Sequence, residues 1–159
     1  MKPKTLRRLI NFWPPFFLNS ISATYISEDF RSVTAALKLR WFNRNYVGTH
    51  FGGNLFAMTD PWYMLMLIQN LGRDYFVWDK KSHIDFISPG RGKVTAQFML
   101  SAEVIAEIRT RTASGEKYLP EFVVDIVDEK NNLVARVHKT LYVKRKPVKQ
   151  IGHNTDTKK

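Results

Sequence analysis

The stretch NRNYVGTHFGGNLFAMTDPWYMLMLIQN, residues 43–70, leads from a polar loop holding His50 and the adjacent glycines Gly52 and Gly53 into a segment that is almost wholly apolar. From Asn54 to Asn70 the apolar residues cover nearly the whole circumference of a helix, so the spacing predicts a helix enclosed by other elements. Gly72 stops it. Paired glycines leave room for close ligand approach, and the N–H groups of Gly53, Asn54 and the next turn are expected to point outward with the positive end of the helix. A plain tight turn is the alternative reading of the same pair.

Working outward, Ser32 to Phe42 alternates Val33, Ala35, Leu37, Leu39 and Trp41 against Thr34, Lys38 and Arg40, which predicts a half-buried strand. Phe76 to Ile87 is extended up to a break at Pro89 and Gly90. Val94 to Leu100 alternates again, and Ser101 is placed to cap a short second helix with Glu103 in its first turn, ended by Ser114 and Gly115. Tyr118 to Val127 and Leu133 to Val143 flank the polar turn DEKNN and predict a hairpin. The expected product is an α+β domain over residues 1–145, with four or five largely antiparallel strands around one long apolar helix, followed by a basic tail over 146–159.

The chain has 159 residues, no cysteine and a formal net charge of +11. That length supports one ordinary core. Without cysteine there is no disulfide framework, thiolate nucleophile or thiolate metal site, and a cytoplasmic setting is expected. The charge would point to nucleic acid if it were spread over the fold. Instead residues 1–9 carry four basic residues and 144–159 a net +5, leaving +2 for everything between, so no nucleic-acid partner is expected. The start MKPKTLRRLINFWPPFFLNS is basic and then apolar, but Pro14 and Pro15 interrupt it. It is far short of the roughly 20 apolar residues needed to cross a bilayer, and is expected to pack as a short helix and turn over the open end of the core. Peripheral membrane contact through Phe12, Trp13, Phe16 and Phe17 is the minor alternative.

The order strand, glycine-containing loop, buried helix and antiparallel strands resembles the hotdog fold of acyl-coenzyme A thioesterases and dehydratases. Asn45, Gly48, Thr49, Gly52, Gly53 and Asp60 are similar to the motif of the phenylacetic-acid-pathway type of hotdog thioesterase. The stretches NYVGTHFGGNLFAMTDPWYMLML, DYFVWDK and SPGRG resemble an uncharacterised bacterial hotdog family associated with thioesterases, across roughly residues 10–145. One departure stands out: those thioesterases commonly carry histidine directly before the paired glycines, where this chain has Phe51, with His50 one residue earlier.

What the resemblance implies is cofactor-independent hydrolysis of an acyl thioester, acyl-coenzyme A or a related one. Gly53 and Asn54 would polarise the carbonyl, and Asp60 would attack it or activate water. Asn45 and His50 complete the candidate catalytic set, and Gly52, Thr49, Arg91 and Lys93 the candidate binding set, the last two against coenzyme A phosphates. Asp60 lies seven residues past Gly53, about 10 Å along a helix. The implied assembly is therefore a homodimer or dimer of dimers in which Gly53 of one subunit faces Asp60 of another. A noncatalytic acyl-binding module is the second functional reading.

Asp60 has a second reading of its own. Pro61 lacks an N–H and disfavours helical geometry in the residue before it, so Asp60-Pro61 also reads as a helix cap and first helical residue. The site reading requires a helix kinked near Pro61. Asn45, Thr49 and His50 can likewise be loop-forming residues. His83 and Asp85 share a strand face, but two ligands do not make a zinc site, and no metal is expected.

Overall fold

The computed structural model describes residues 1–147, so from residue 148 onward the expected basic tail lies outside the described residues. The chain runs α1 (Pro3–Phe12), α2 (Pro14–Phe17), β1 (Ile21–Ile26), β2 (Ser32–Lys38), α3 (Gly52–Ala57), α4 (Trp62–Leu71), β3 (Tyr75–Phe86), β4 (Lys93–Met99), α5 (Ala102–Arg111), β5 (Lys117–Tyr118), β6 (Glu121–Asp128) and β7 (Leu133–Arg145). The strands form one antiparallel sheet in the order β1-β2-β4-β6-β7-β3, with β5 beside β7.

The alternation read from the sequence becomes the inner face. Val33, Ala35 and Leu37 of β2, Val94, Ala96 and Phe98 of β4, Ile126 of β6, and Val137, Leu141 and Val143 of β7 are buried against Trp62, Tyr63, Met66 and Leu67 of α4. Full burial of a large apolar side chain contributes roughly 1.5–3 kcal/mol, which drives so greasy a helix under the sheet. The enclosure is not complete: Met64 and Leu65 are only partly buried and Ile68 is 37% exposed.

Three expectations need correcting. The helix expected over Asn54 to Asn70 is two helices, broken from Met58 to Pro61. Pro61 offers no N–H to the turn before it, and the chain re-enters helical pairing only with the Leu65 N–H donating to the Pro61 carbonyl. The strand expected to reach Phe42 ends at Lys38. There the buried Asn43 side chain takes over the backbone, accepting from the Arg40 N–H at 2.7 Å and donating to the Lys38 and Asn19 carbonyls, and this leaves Trp41 81% exposed. Ser101 does cap α5, accepting from the Val104 N–H, but that helix stops at Arg111, before Ser114.

Seven strands also exceed the expected four or five. β1 adds an edge whose alternation is broken by a bulge between Ala23 and Tyr25, and β5 is only two residues long. The N-terminal helices pack as expected, with Leu6, Ile10 and Phe16 in the core and Phe16 edge-on to Trp62. Burial of Phe16 at 2% exposure removes it from any membrane-inserting set, while Phe12, Trp13 and Phe17 stay exposed. Among the described residues no helix is long and apolar enough to cross a membrane.

Candidate active site

The loop before α3 is organised by Asn45. Its side-chain amide donates to Thr49 Oγ1 at 2.8 Å and to the His50 carbonyl, its Oδ1 accepts from the Thr49 N–H, and its own N–H donates to the Thr49 carbonyl. Every polar atom of the Asn45 side chain thus holds the loop, and Thr49 Oγ1 is an acceptor in that net. His50 is buried at 3% exposure. Its Nε2 stands 3.0 Å from the Gly92 carbonyl, and since a carbonyl only accepts, Nε2 carries the proton. Nδ1 is then an unprotonated acceptor, buried and without a hydrogen-bond partner among the described residues.

Burial holds the His50 imidazole below its ordinary value of 6.5, with the bond to Gly92 pulling the other way. A base with a depressed folded pKa stabilises the fold above the unfolded pKa, and that contribution is lost as pH falls through the folded value. Nitrogen NMR of the imidazole is therefore expected to show the neutral form, with protonated Nε2 and bare Nδ1, as the major species at pH 7 and still at pH 6.5. A mostly charged imidazolium at pH 6.5 would contradict this environment.

The paired glycines divide two clefts. Gly52 lines a cleft of about 430 Å³ with Asn45, Thr49, His50, Leu55 and Phe86. Gly53 lines another of about 280 Å³ with Trp13, Phe16, Phe56, Ala57 and Asp60. Aromatic rings lie close over both glycines: a Cβ on Gly52 would stand 2.8 Å from the Phe86 ring, and one on Gly53 2.4 Å from that of Phe51, so either exposed ring would have to swing aside for a side chain there. The N–H groups of Gly52 and Gly53 make no hydrogen bond among the described residues. The expected free N–H of Asn54 is a correction, since it donates to the Phe51 carbonyl at 2.9 Å and closes the first turn. The Asn54 side chain is buried and donates to the Asn43 carbonyl.

Asp60 sits in the break between α3 and α4, its side chain 69% exposed. No side chain caps α4, so the capping duty expected as one reading of Asp60 is not what holds it. Because the helix is broken there, Asp60 and Gly53 of one chain line the same cleft. The residues predicted from the motif are thus partitioned: His50, Thr49 and Asn45 lie on one side of the double glycine, Asp60 on the other.

What holds the break is a residue the sequence reading passed over. Lys139 of β7 points into the core, 1% exposed. Its ammonium donates to the carbonyls of Thr59 and Asp60, stands 3.2 Å from Asp79 Oδ1 and lies 3.9 Å from Asp60 Oδ1. The Asp79 contact is an ion pair whose angle falls short of a hydrogen bond. Burial raises the Asp79 carboxyl above its ordinary 3.8, opposed by the Lys139 charge. The signal was legible: in β7 the inward slots run Ala135, Val137, Lys139, Leu141, Val143, and a lysine among them asks for a buried partner. Asp79, which stands directly before Lys80 and Lys81 in the chain, is that partner.

Arg91 and Lys93 are both exposed. Arg91 reaches back to the Gly48 carbonyl at 3.4 Å, beside the Asn45 loop, while Lys93 stands opposite Lys38 at the ends of β4 and β2.

The profile of a family described as a domain of unknown function, DUF4442, matches residues 3–143. No curated protein matches the chain. Among solved structures, PA5026 of Pseudomonas aeruginosa, a protein of unknown function described as a probable thioesterase, superposes with a TM-score of 0.80 at 17% identity, over 91% of this chain and 97% of that one. The thioesterase HI1161 of Haemophilus influenzae gives 0.66 at 18% identity, over 97% and 95%. PaaI from the phenylacetic acid degradation operon of E. coli gives 0.59 at 13%, over 91% and 92%. At these identities the likeness carries the fold, which is the hotdog fold: an antiparallel sheet wrapped around an apolar central helix.

Proposed function

Because the chain belongs to the DUF4442 family, whose description assigns no reaction, we propose from the site itself that it hydrolyses an acyl thioester, acyl-coenzyme A above all, without a cofactor. The observation that carries this reading is the pairing in one cleft of an exposed, non-capping carboxylate, Asp60, with a glycine, Gly53, whose N–H is unengaged among the described residues. The thioester carbonyl oxygen accepts from that N–H. Asp60 takes a proton from water while the water oxygen attacks the carbonyl carbon, and the oxyanion formed is held more strongly than the neutral carbonyl. On collapse the C–S bond breaks and the thiol leaves with the proton that Asp60 returns. Direct attack by the carboxylate is the variant of the same scheme.

The proposed setting is cytoplasmic and the proposed assembly a homodimer, alone or paired again. Two features support a second chain: among the described residues the twelve-residue β3 pairs with β7 on one side only, and Met64, Leu65 and Ile68 leave a half-covered stripe on α4. In such a dimer Gly53 can be served by the Asp60 of its own chain, with which it shares a cleft, or by the partner's, and the two arrangements are distinguished by experiment.

A thiol-release assay over short, long and aromatic acyl-coenzyme A esters tests the reaction. Turnover of at least one ester is the expected result; saturable binding with no turnover would make this an acyl-binding protein instead. Co-expressing chains that carry Asp60→Asn with chains that carry Gly53→Val tests the assembly. If sites are shared across subunits, the mixed dimer keeps one intact Gly53–Asp60 pair and recovers activity that neither variant has alone. If each chain works by itself, no mixed species has an intact site and none is recovered.

A further inference from the structure

The outer face of the β3–β7 pair carries a second cluster, none of whose residues lines the cleft of Gly53 and Asp60. His83 and His138 are direct cross-strand partners, their rings stacked 4.5 Å apart and within 5° of parallel. Asp85, two residues along β3 on the same face, brings its Oδ2 to 3.5 Å from His138 Nε2 and 3.9 Å from His83 Nε2. Since side chains alternate along a strand, His138 faces away from its neighbour Lys139, so this cluster lies on the opposite side of the sheet from Asp60. We propose that His83, Asp85 and His138 form a binding site for one divalent transition-metal ion.

Three observations support it. Ligand atoms of all three residues lie within 4.8 Å of one another. Ligands bound to one ion at about 2.0–2.2 Å in tetrahedral array stand roughly 3.4 Å apart, so the two Asp85 separations need little adjustment, while the stacked imidazoles, whose lone pairs lie in nearly parallel ring planes, have to tilt toward the ion, which side chains this exposed can do. None of the three side chains makes a hydrogen bond among the described residues, although Arg136 is the cross-strand partner of Asp85. Arg136 is held elsewhere, by Nε and Nη2 bonds of 2.6 and 2.8 Å to the two carboxylate oxygens of Asp125. The Asp85 carboxylate is left to the imidazoles.

Two imidazoles and one carboxylate select zinc, nickel, cobalt or copper over calcium or magnesium, which favour all-oxygen shells. Water completes the coordination, because the face is open. The ion would bridge the edge strand β3 to β7, with His83 and Asp85 on one side and His138 on the other, and so stabilise the sheet margin by mass action.

The test uses the full, untagged chain freed of metal by chelation. Calorimetry with Zn²⁺ and the visible absorption of Co²⁺ are expected to report one ion per chain and a rise in Tm with added Zn²⁺. Asp85→Asn and the double variant His83→Gln, His138→Gln, at two exposed positions and one half-buried one, are expected to bind at least about tenfold more weakly and to lose the Tm response, with unchanged circular dichroism in chelator. Failure of the wild type to bind Zn²⁺ overturns the proposal. So does binding that survives in the double variant, which would put the ion elsewhere, His153 included. Thioester turnover is read separately and bears on neither outcome.

Discussion

Replacing Asp60 with asparagine is expected to lower thioester hydrolysis about 100-fold or more while leaving assembly and acyl-coenzyme A binding near the wild-type level. The substitution keeps the volume and one side-chain oxygen and removes only the charge needed for attack or for taking a proton from water. Since the side chain is 69% exposed and caps nothing, its loss of charge has little structural consequence. Lys139 holds the break chiefly through the backbone carbonyls of Thr59 and Asp60, which the variant retains. The measurement is thiol release at matched dimer concentration, with binding followed by calorimetry. A variant that keeps near-normal turnover removes Asp60 from the mechanism; one that loses turnover and binding together points to damage in the cleft rather than to chemistry.

The second large effect is expected at Lys139. Lys139→Met keeps most of the stem's bulk and deletes the ammonium, leaving the Thr59 and Asp60 carbonyls without their donor and Asp79 without its counter-charge. Breaking a buried pair on one side costs about 3–5 kcal/mol; because the Asp79 side chain keeps 24% exposure, the lower end is the expected value, a fall in Tm of roughly 10 °C for a chain of this length. The pH dependence has a definite sign. Burial already raises the Asp79 carboxyl, and removing the lysine raises it further. A carboxyl whose folded pKa is raised favours the fold fully only below its unfolded value, and that contribution is lost as pH rises through the folded one. The deficit is thus greatest at pH 7 and smallest near pH 4. Urea unfolding at both values tests it, with Asp79→Asn added to the lysine variant expected to recover part of the loss at pH 7. A variant within about 0.5 kcal/mol of wild type at pH 7 would show that the ammonium and the carboxylate are not energetically coupled.

Much of the fold was legible in the chain because the cues are local and periodic. The alternation of Val94 to Leu100 and of Leu133 to Val143, the cap at Ser101 and the apolar run after Gly53 each report a face that must be buried, and the structure buries those faces. The chemistry-bearing candidates, Asp60, Gly53 and the Asn45 loop, were also visible, as residue types placed at a turn into a helix. Other features depend on what meets across the sheet. The break at Pro61 brings Asp60 round to the cleft of Gly53, and Asn54 closes the helix turn with the N–H expected to be free. Lys139 and Asp79 are 60 residues apart in the chain and become partners only because antiparallel pairing of β3 with β7 sets them on one inner face. The same register, read on the outer face, adds His138 to His83 and Asp85. Sequence by itself determined which faces are apolar, since hydrophobic period is a property of neighbours along the chain. Strand register and a broken helix decided which polar groups stand within reach of one another, since that distance is set by residues far apart in the chain.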